Sequence, residues 1–274
     1  MSDSETNSLL ARIAAALERM APASDGPTDP DAFPAYGWDG SVLHGQDRIA
    51  APALDLLRGI DRQRDTVSAN VRRLAQGAEA HDMLLWGARG MGKSALVRSS
   101  VLAAQADGDI ALVQAAGDAL HTLPVLFALL KGRVRRYLVF IDDIGFDREE
   151  DARALRSLLE GGVTPRPANV RIAVTSNRRN ILARTQGQQD DPVNARDDMD
   201  DALALADRFG LPVGFHACDQ DDYLAIVAGY AAHYGLDWNR DEALNWSRRR
   251  GARSGRVARH YIAELAGRAG VVLD

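Results

Sequence analysis

One short motif constrains this chain more than any other feature, because residues 87–94 read Gly-Ala-Arg-Gly-Met-Gly-Lys-Ser. This is the pattern G-x-x-x-x-G-K-[ST], whose glycines let successive backbone N–H groups turn toward phosphate oxygens. An apolar run, Met83–Trp86, precedes the motif, and a helical pattern, Ser94–Gln105, follows it. A glycine-rich loop with an incidental Lys-Ser pair is the alternative, but the chain has only two lysines, Lys93 and Lys131. The sequence therefore predicts a phosphate-binding loop between a strand and a helix.

Each part of this loop has an expected role, and we expect ATP and Mg²⁺ as its ligands. Lys93 would neutralise charge on the β- and γ-phosphates, and the Ser94 hydroxyl would coordinate Mg²⁺. The predicted nucleotide-binding residues are Gly87, Ala88, Arg89, Gly90, Met91, Gly92, Lys93 and Ser94.

A pair of carboxylates follows another apolar run, Tyr137–Ile141. Ligands of open α/β sheets bind at the carboxyl ends of the strands, which is where Asp142 and Asp143 would lie. We expect Asp142 to hold Mg²⁺, directly or through water, and Asp143 to orient or deprotonate the attacking water. In the alternative interpretation the two acids cap the following turn.

A polar segment, Ser176-Asn177-Arg178-Arg179, follows the apolar run Val170–Thr175 in the same way. The amide of Asn177 is suited to positioning a water beside the γ-phosphate. Its alternative role is to cap the next helix.

The remaining pattern predicts an α/β architecture, because helical stretches such as Leu120–Leu130 separate the apolar runs. Such strands run parallel and are covered on both faces, which gives a three-layer P-loop core. From Asp219 onward the pattern is helical and predicts a small C-terminal lid domain. The predicted strands are Met83–Trp86, Ile110–Ala115, Tyr137–Ile141, Val170–Thr175 and Leu211–Phe215.

We divide the chain into an N-terminal helix and linker (1–40), an α/β core (41–216) and a helical lid domain (217–274). Residues 8–20 have the spacing of an amphipathic helix, and the Pro- and Asp-rich residues 21–34 follow as a linker. One or two helices are expected between residues 46 and 76. The polar, acidic residues 184–201 indicate a surface loop.

The net charge and the hydrophobic pattern of the chain restrict the kinds of partner it can bind. The formal net charge of −5 does not favour binding to nucleic acid, which would need a local basic face. Asp3 and Glu5 stand where a secretory signal is basic, and no apolar run approaches the roughly 20 residues needed to span a bilayer. We therefore expect a cytoplasmic protein without membrane contact.

The motifs at 87–94, Asp142-Asp143 and Thr175-Ser176-Asn177 resemble, in their order and spacing, those of AAA+ ATPases. More closely, residues 84–94, 175–179 and 207–211 resemble a bacterial family of uncharacterised P-loop ATP-binding proteins, a domain of unknown function. This similarity runs from roughly residue 30 to residue 265. It implies an AAA+-type core with ATPase activity, and it makes Asn177 the counterpart of the sensor-1 residue.

Two arginines gain expected roles from the same resemblance. Arg208 matches the arginine that acts on the γ-phosphate of a neighbouring subunit, although an ion pair with an acidic neighbour is the alternative. Arg256 matches the sensor-2 arginine of the lid, with Arg253 one turn away as the competing candidate. Asp143 stands where many AAA+ proteins have Glu, so hydrolysis is expected to be slow.

The leading functional hypothesis is a homo-oligomeric ATPase that remodels an unknown protein partner. A nucleotide-gated adaptor or loader for DNA or protein, with weak hydrolysis, is the alternative, and the basic run Arg248–Arg259 favours it. A small-molecule kinase is a third hypothesis, but the sequence shows no dedicated acceptor pocket.

Overall fold

The computed structural model describes residues 28–144, 149–160, 166–177 and 207–273. The helix predicted at 8–20 and the surface loop predicted at 184–201 lie outside these residues. The division into segments 1–40, 41–216 and 217–274 stays a prediction.

A seven-stranded sheet forms the centre of the fold. The strands are β1 (Ala35–Trp38), β2 (Leu43–Gln46), β3 (Met83–Gly87), β4 (Ile110–Ala115), β5 (Arg136–Ile141), β6 (Val170–Ser176) and β7 (Leu211–Phe215). Their order across the sheet is β2-β1-β4-β5-β6-β3-β7, and the pairs are parallel except for β1 with β2. The predicted parallel α/β core is therefore confirmed.

Helices cover both faces of the sheet, and the chain ends in a three-helix lid. Residues 46–76 contain a short 3₁₀ helix, Leu54–Leu56, and the helix α1. The predicted helix at 120–130 is divided into a 3₁₀ segment, Gly117–Thr122, and α3. The α-helices are α1 (Asp61–Ala75), α2 (Lys93–Ala104), α3 (Leu123–Leu130), α4 (Glu149–Glu160), α5 (Gln220–Tyr234), α6 (Arg240–Arg249) and α7 (Gly255–Ala269).

The hairpin β1–β2 is an element that the sequence did not predict. Its strands have four residues each and include Gly37 and Gly45, so their apolar alternation is too short to detect. β1 extends the parallel sheet by pairing with β4, with Ala35 opposite Leu112. The hairpin thus lengthens the core on the side away from the phosphate-binding loop.

Alternating side chains of the central strands separate the core into two clusters. On β5, Leu138 and Phe140 face a cluster with α1, α2 and the lid helices, whereas Val139 and Ile141 face a cluster with α3 and α4. The lid is therefore packed against the same apolar layer as the helix that follows the phosphate-binding loop. Among the described residues, we find no helix that combines the length and apolar character of a membrane span.

β7 forms one edge of the sheet, and its outer side is partly blocked. Leu211 donates its N–H to Asp82 and Phe215 accepts from Ala88, so these residues bond toward β3. The alternate residues Pro212 and Gly214 consequently point their backbone groups outward. Pro212 has no N–H to offer, and the Gly214 carbonyl accepts from the Gln63 side chain at 3.0 Å.

Candidate functional site

The loop between β3 and α2 has a backbone that only glycine adopts easily. Gly87, Gly90 and Gly92 have φ values of 119°, 74° and 86°, in the left-handed half of the Ramachandran map. A Cβ on Gly87 would lie 2.2 Å from the Phe215 carbonyl oxygen, so the loop can leave the sheet only with glycine there. Gly92 is the N-cap of α2, which places the N-terminus of that helix inside the loop.

Lys93 is the most buried charged side chain of this loop, with 5% of its surface exposed. Its ammonium donates to the carbonyl oxygens of Gly87 and Ala88, at 2.9 and 2.8 Å, and to the Asn177 amide oxygen at 2.9 Å. Burial lowers the pKa of Lys93 to about 8, although the carboxylates of Asp143 and Asp142 act in the opposite direction. The loop thus holds a desolvated cation, which a phosphate group would stabilise.

The predicted residues at the ends of β5 and β6 join the loop in one hydrogen-bonded ring. Asn177 accepts from Lys93 and donates to the Asp143 carboxylate. The Asp143 backbone N–H donates to the Thr175 hydroxyl at 2.8 Å. Thr175 and Ser94 both donate to the same oxygen of Asp142, at 2.5 and 2.6 Å. Because Ser94 directly follows Lys93, the ring closes.

Thr175 is a member of this ring that the sequence analysis did not identify. It is 1% exposed, and its hydroxyl fixes Asp142 through the side chain and Asp143 through the backbone. Both acids thereby have defined positions relative to the loop. The sequence contained a signal for Thr175, because it is a polar residue at the end of an apolar strand. Such a residue lies at the sheet edge where ligands bind.

Asp143 has a φ of 57°, a positive value for a residue other than glycine. Aspartate and asparagine enter this left-handed region more readily than other residues with side chains, because their short polar groups bond locally. Two hydrogen bonds hold the conformation: the Asp143 N–H donates to the Thr175 hydroxyl oxygen, and the Asn177 amide donates to the Asp143 carboxylate. Asp143 is therefore oriented by its surroundings and not only by its position after β5.

The donor set fits Mg²⁺ bound together with phosphate. Ser94 and Asp142 bring a hydroxyl and a carboxylate oxygen to one point, 2.6 Å apart. Mg²⁺ commonly uses one or two protein oxygens and takes its remaining ligands from phosphate and water. Within the described ranges, no group of three or more His, Cys, Asp or Glu residues could hold a metal ion by itself. A metal here would depend on the phosphates.

A cavity of about 780 Å³ extends from this ring to the lid, and its two ends differ in chemistry. What we term the phosphate end comprises Lys93, Ser94, Asp142, Asp143 and Asn177. What we term the apolar end comprises Ile49, Leu57, Ile226, Tyr230 and Tyr234. A volume of this size and mixture suits a small organic ligand that carries phosphates.

The apolar end was not predicted from the sequence. It combines a segment before α1 with residues of α5, and the guanidinium of Arg259 on α7 lies 5.4 Å from the centre of the Tyr230 ring and 5.8 Å from that of Tyr234. Arg259 also donates to the Tyr234 hydroxyl at 3.2 Å. This end thus combines two tyrosine rings with the guanidinium of Arg259, which also lines the cavity, and such a set suits a planar, polarisable group.

The lid helix α7 begins directly on the phosphate-binding loop. The N–H of Arg256 donates to the Gly90 carbonyl at 3.1 Å. Ser254 caps α7 by accepting from Val257, and a Cβ on Gly90 would lie only 2.9 Å from the Ser254 hydroxyl oxygen. Loop and lid are therefore in direct backbone contact.

The three arginines singled out in the sequence lie at different distances from the cavity. Arg256 lines it beside the loop, whereas Arg253 is not among its lining residues. Arg208 is exposed, just before β7, and does not line the cavity either. Within one chain, the structure brings Arg256 to the site and leaves Arg208 outside it.

A comparison with protein families matches residues 31–269 to the family described as "Protein of unknown function (DUF815)". That match covers most of the chain. No curated protein sequence matches.

Among solved structures, the chain is similar to RuvB of Thermotoga maritima. A variant of that protein gives a TM-score of 0.54 with 18% identity over 82% of this chain and 68% of that chain. A structure titled as the Holliday junction branch migration motor from the same source gives 0.50 with 16% identity and the same coverage. Orc1 of Aeropyrum pernix, in complex with DNA, gives 0.54 with 12% identity over 81% of this chain and 66% of that one. The chain therefore shares the fold of these proteins, which confirms the predicted α/β fold class.

Proposed function

The chain belongs to the DUF815 family, and we propose that it binds ATP with Mg²⁺ in this cavity and hydrolyses the bond between the β- and γ-phosphates. The observation that carries the proposal is the closed ring from Lys93 to Ser94, which assembles a cation, a hydroxyl, two carboxylates and an amide at one sheet edge. These are the groups that phosphoryl transfer to water needs.

Each member of the ring has a role in this proposal. Lys93 and the loop N–H groups bind the phosphates, while Ser94 and Asp142 hold Mg²⁺. Mg²⁺ supplies charge neutralisation on the phosphate oxygens. Asn177 positions the attacking water, and Asp143 takes its proton as the new P–O bond forms and the bond to the bridging oxygen breaks. The products are ADP and inorganic phosphate.

The direct test compares two adjacent substitutions. Asp143→Asn should keep Mg-ATP binding and suppress hydrolysis, because the amide retains an oxygen that can accept from Asn177 but cannot take the proton of the attacking water. Asp142→Asn should weaken the dependence of binding on Mg²⁺. Binding is measured with a fluorescent ATP analogue over a Mg²⁺ titration, and phosphate release is measured in parallel. Asp237→Asn, at an exposed site outside the cavity, is the matched control. If Asp143→Asn hydrolyses ATP at the rate of the control, Asp143 is not the general base and another group takes the proton.

We further propose that the active form is a homo-oligomer in which Arg208 completes the site of a neighbouring subunit. Arg208 is exposed and outside the cavity of its own chain, so any action on a γ-phosphate must be on another copy. A guanidinium delivered in this way raises phosphoryl-transfer rates by about 10³ to 10⁵ in GTPases.

Mixing two inactive variants tests the oligomer. Arg208→Ala lacks the arginine and Lys93→Ala lacks the phosphate site, so a mixed interface combines the intact Arg208 of one chain with the intact loop of the other. Activity should reappear on mixing. Arg249→Ala, also exposed, serves as the control and should hydrolyse normally alone. Co-assembly without recovered activity would assign Arg208 to a structural ion pair.

A second candidate function is a nucleotide-gated binder that hydrolyses slowly. Two observations favour it: the Asp143 carboxylate is engaged by Asn177, and the short side chain is held by a left-handed backbone.

The partner in either case is a macromolecule, and the net charge of −5 favours a protein over nucleic acid. Duplex DNA binding by ATP-loaded Asp143→Asn, measured at low and high salt, decides between the two partner classes.

A further inference from the structure

α3 is a helix without a single polar residue, reading Leu-Pro-Val-Leu-Phe-Ala-Leu-Leu over residues 123–130. One side of it is buried in the cluster beneath the sheet. The other side is exposed. A helix with apolar residues on every side is ordinarily covered on every side, because a solvent-facing surface is normally polar. The exposed residues are Pro124, Val125, Ala128 and Leu129, and the buried ones are Leu123, Leu126, Phe127 and Leu130.

The exposed side of α3 accounts for much of the exposed large apolar surface in the described ranges. Val125 and Leu129, one turn apart, are 54% and 46% exposed, and Val134 just after the helix is 92% exposed. Other large apolar side chains with comparable exposure are scattered in ones and twos at Val42, Leu102, Val271 and Val272. We refer to the exposed residues Pro124, Val125, Ala128 and Leu129 together as the α3 outer face.

The first described residues of the chain are anchored beside this face. Arg133 donates to the carboxylates of Asp29 and Asp31, at 3.2 and 2.5 Å, and its Nε donates to the Leu129 carbonyl at 3.2 Å. The same arginine thus joins the start of the described chain to the last turn of α3. Whatever precedes residue 28 is attached next to the α3 outer face.

The preceding sequence contains a segment of matching chemistry. Residues 8–20 have the spacing of an amphipathic helix, with Leu9, Ile13 and Leu17 on one stripe. Only residues 21–28 separate it from the anchored Asp29, and eight residues reach at most about 29 Å. A tether this short keeps residues 8–20 near α3 at an effective concentration of the order of millimolar. Docking within one chain is therefore favoured over docking between two chains.

We propose that residues 8–20 dock, through Leu9, Ile13 and Leu17, on the α3 outer face of the same chain. The docked segment covers the apolar side of α3 and leaves Arg12 and Arg19 toward solvent. The proposal stands apart from nucleotide binding, because no residue of α3 lines the cavity.

Cysteine cross-linking tests the docking in the full-length protein. The chain's one cysteine, Cys218, is buried, and burial raises the pKa of its thiol to about 12, so it stays unreactive. Ile13→Cys with Val125→Cys should be joined within one chain by a short bis-maleimide. Ile13→Cys with Val272→Cys is the control, because Val272 is 91% exposed at the far end of the sequence.

Three outcomes decide the matter. A cross-link within monomers, well above the control pair, supports the proposal. A cross-link that joins two chains overturns it in favour of an interface between copies. A yield equal to that of the control overturns it as well and leaves another molecule to cover α3.

Hydrogen exchange gives a second readout that does not need cysteines. The double variant Leu9→Asp/Ile13→Asp should lose protection over residues 123–134, whereas Ala15→Asp, on the other side of the predicted helix, should keep it. ATP affinity should be the same in all three proteins. Equal protection of α3 in both variants would contradict the docking.

Discussion

The two ends of the cavity are built on different principles. The phosphate end is a ring of hydrogen bonds in which each side chain is held by the next, and it comes from three strand ends that lie side by side. The apolar end is assembled from a segment before α1, the middle of α5 and a side chain of α7. The phosphate end belongs to the sheet and its loops, and the apolar end belongs largely to the lid.

This difference indicates a division of labour. Substitutions at the phosphate end should change which phosphate groups are recognised and how they react. Substitutions at the apolar end should change affinity for every nucleotide alike. The contact between Gly90 and the start of α7 links the two ends, so disturbing it should alter both.

The largest effect is expected from Lys93→Ala, which removes the buried cation with its three hydrogen bonds. ATP affinity should fall by about 100-fold, as expected for the loss of charge-assisted bonds to phosphate. Isothermal titration calorimetry measures the change. Lys131→Ala, the other lysine and an exposed one, should bind normally. Retention of affinity by folded Lys93→Ala would rule out the phosphate end as the binding site.

A smaller, more selective effect is expected from Arg256→Ala. Arg256 lines the cavity beside the loop, so we expect about tenfold weaker ATP binding with ADP binding nearly unchanged. Arg253→Ala removes the same charge three residues away and should leave both affinities intact. If Arg253→Ala shows the selective loss of ATP affinity instead, the lid rotates between the free and bound states. Arg253, and not Arg256, is then the arginine that contacts the γ-phosphate.

Tyr230→Leu probes the apolar end. Loss of the aromatic surface should weaken ATP and ADP equally, by about fivefold, because in the proposed binding mode the ring would contact a part that both nucleotides share. Tyr230→Phe retains the ring and should resemble the unmodified protein. An effect on ATP alone would show that the two ends are not separable in the way the geometry indicates.

The smallest effect concerns the link between the ends. Gly90 and Gly132 have nearly equal φ values, 74° and 79°, but a Cβ on Gly132 would meet nothing within 4 Å. Alanine at either position costs backbone strain, and only Gly90→Ala adds a clash with Ser254. We expect Gly90→Ala to cost about 0.5 kcal/mol more in unfolding free energy. Adding Ser254→Gly to Gly90→Ala should recover the extra loss of unfolding free energy, because it removes the side chain that the new Cβ meets. If the double variant instead loses the sum of the two single losses, the contact between residue 90 and Ser254 is not the cause.

The sequence predicted the phosphate end and the parallel sheet because both depend on contiguous signals. A strand, a glycine loop and a helix are adjacent in the chain, and the acids directly follow an apolar run. Polar residues at strand ends also pointed to Asn177. Its two hydrogen bonds, to Lys93 and to Asp143, could not be predicted, since they depend on the order of strands in the sheet.

The apolar end and the β1–β2 hairpin escaped prediction for different physical reasons. Ile226 and Tyr230 have the spacing of any amphipathic helix, so nothing local distinguishes a residue that lines a cavity from one that fills a core. The hairpin strands are too short for a periodic signal. Their position is fixed by pairing with β4, which is distant in sequence.

The blocked outer side of β7 restricts how this protein can join other molecules. An exposed strand edge usually invites a strand from another chain, which is the first step toward domain exchange and fibril growth. Here Pro212 offers no N–H, and Gln63 already occupies the Gly214 carbonyl, so an added strand would lose a large share of its ladder bonds. Assembly on this side of the molecule must therefore use side chains, loops and helices, which can separate again without disturbing the sheet.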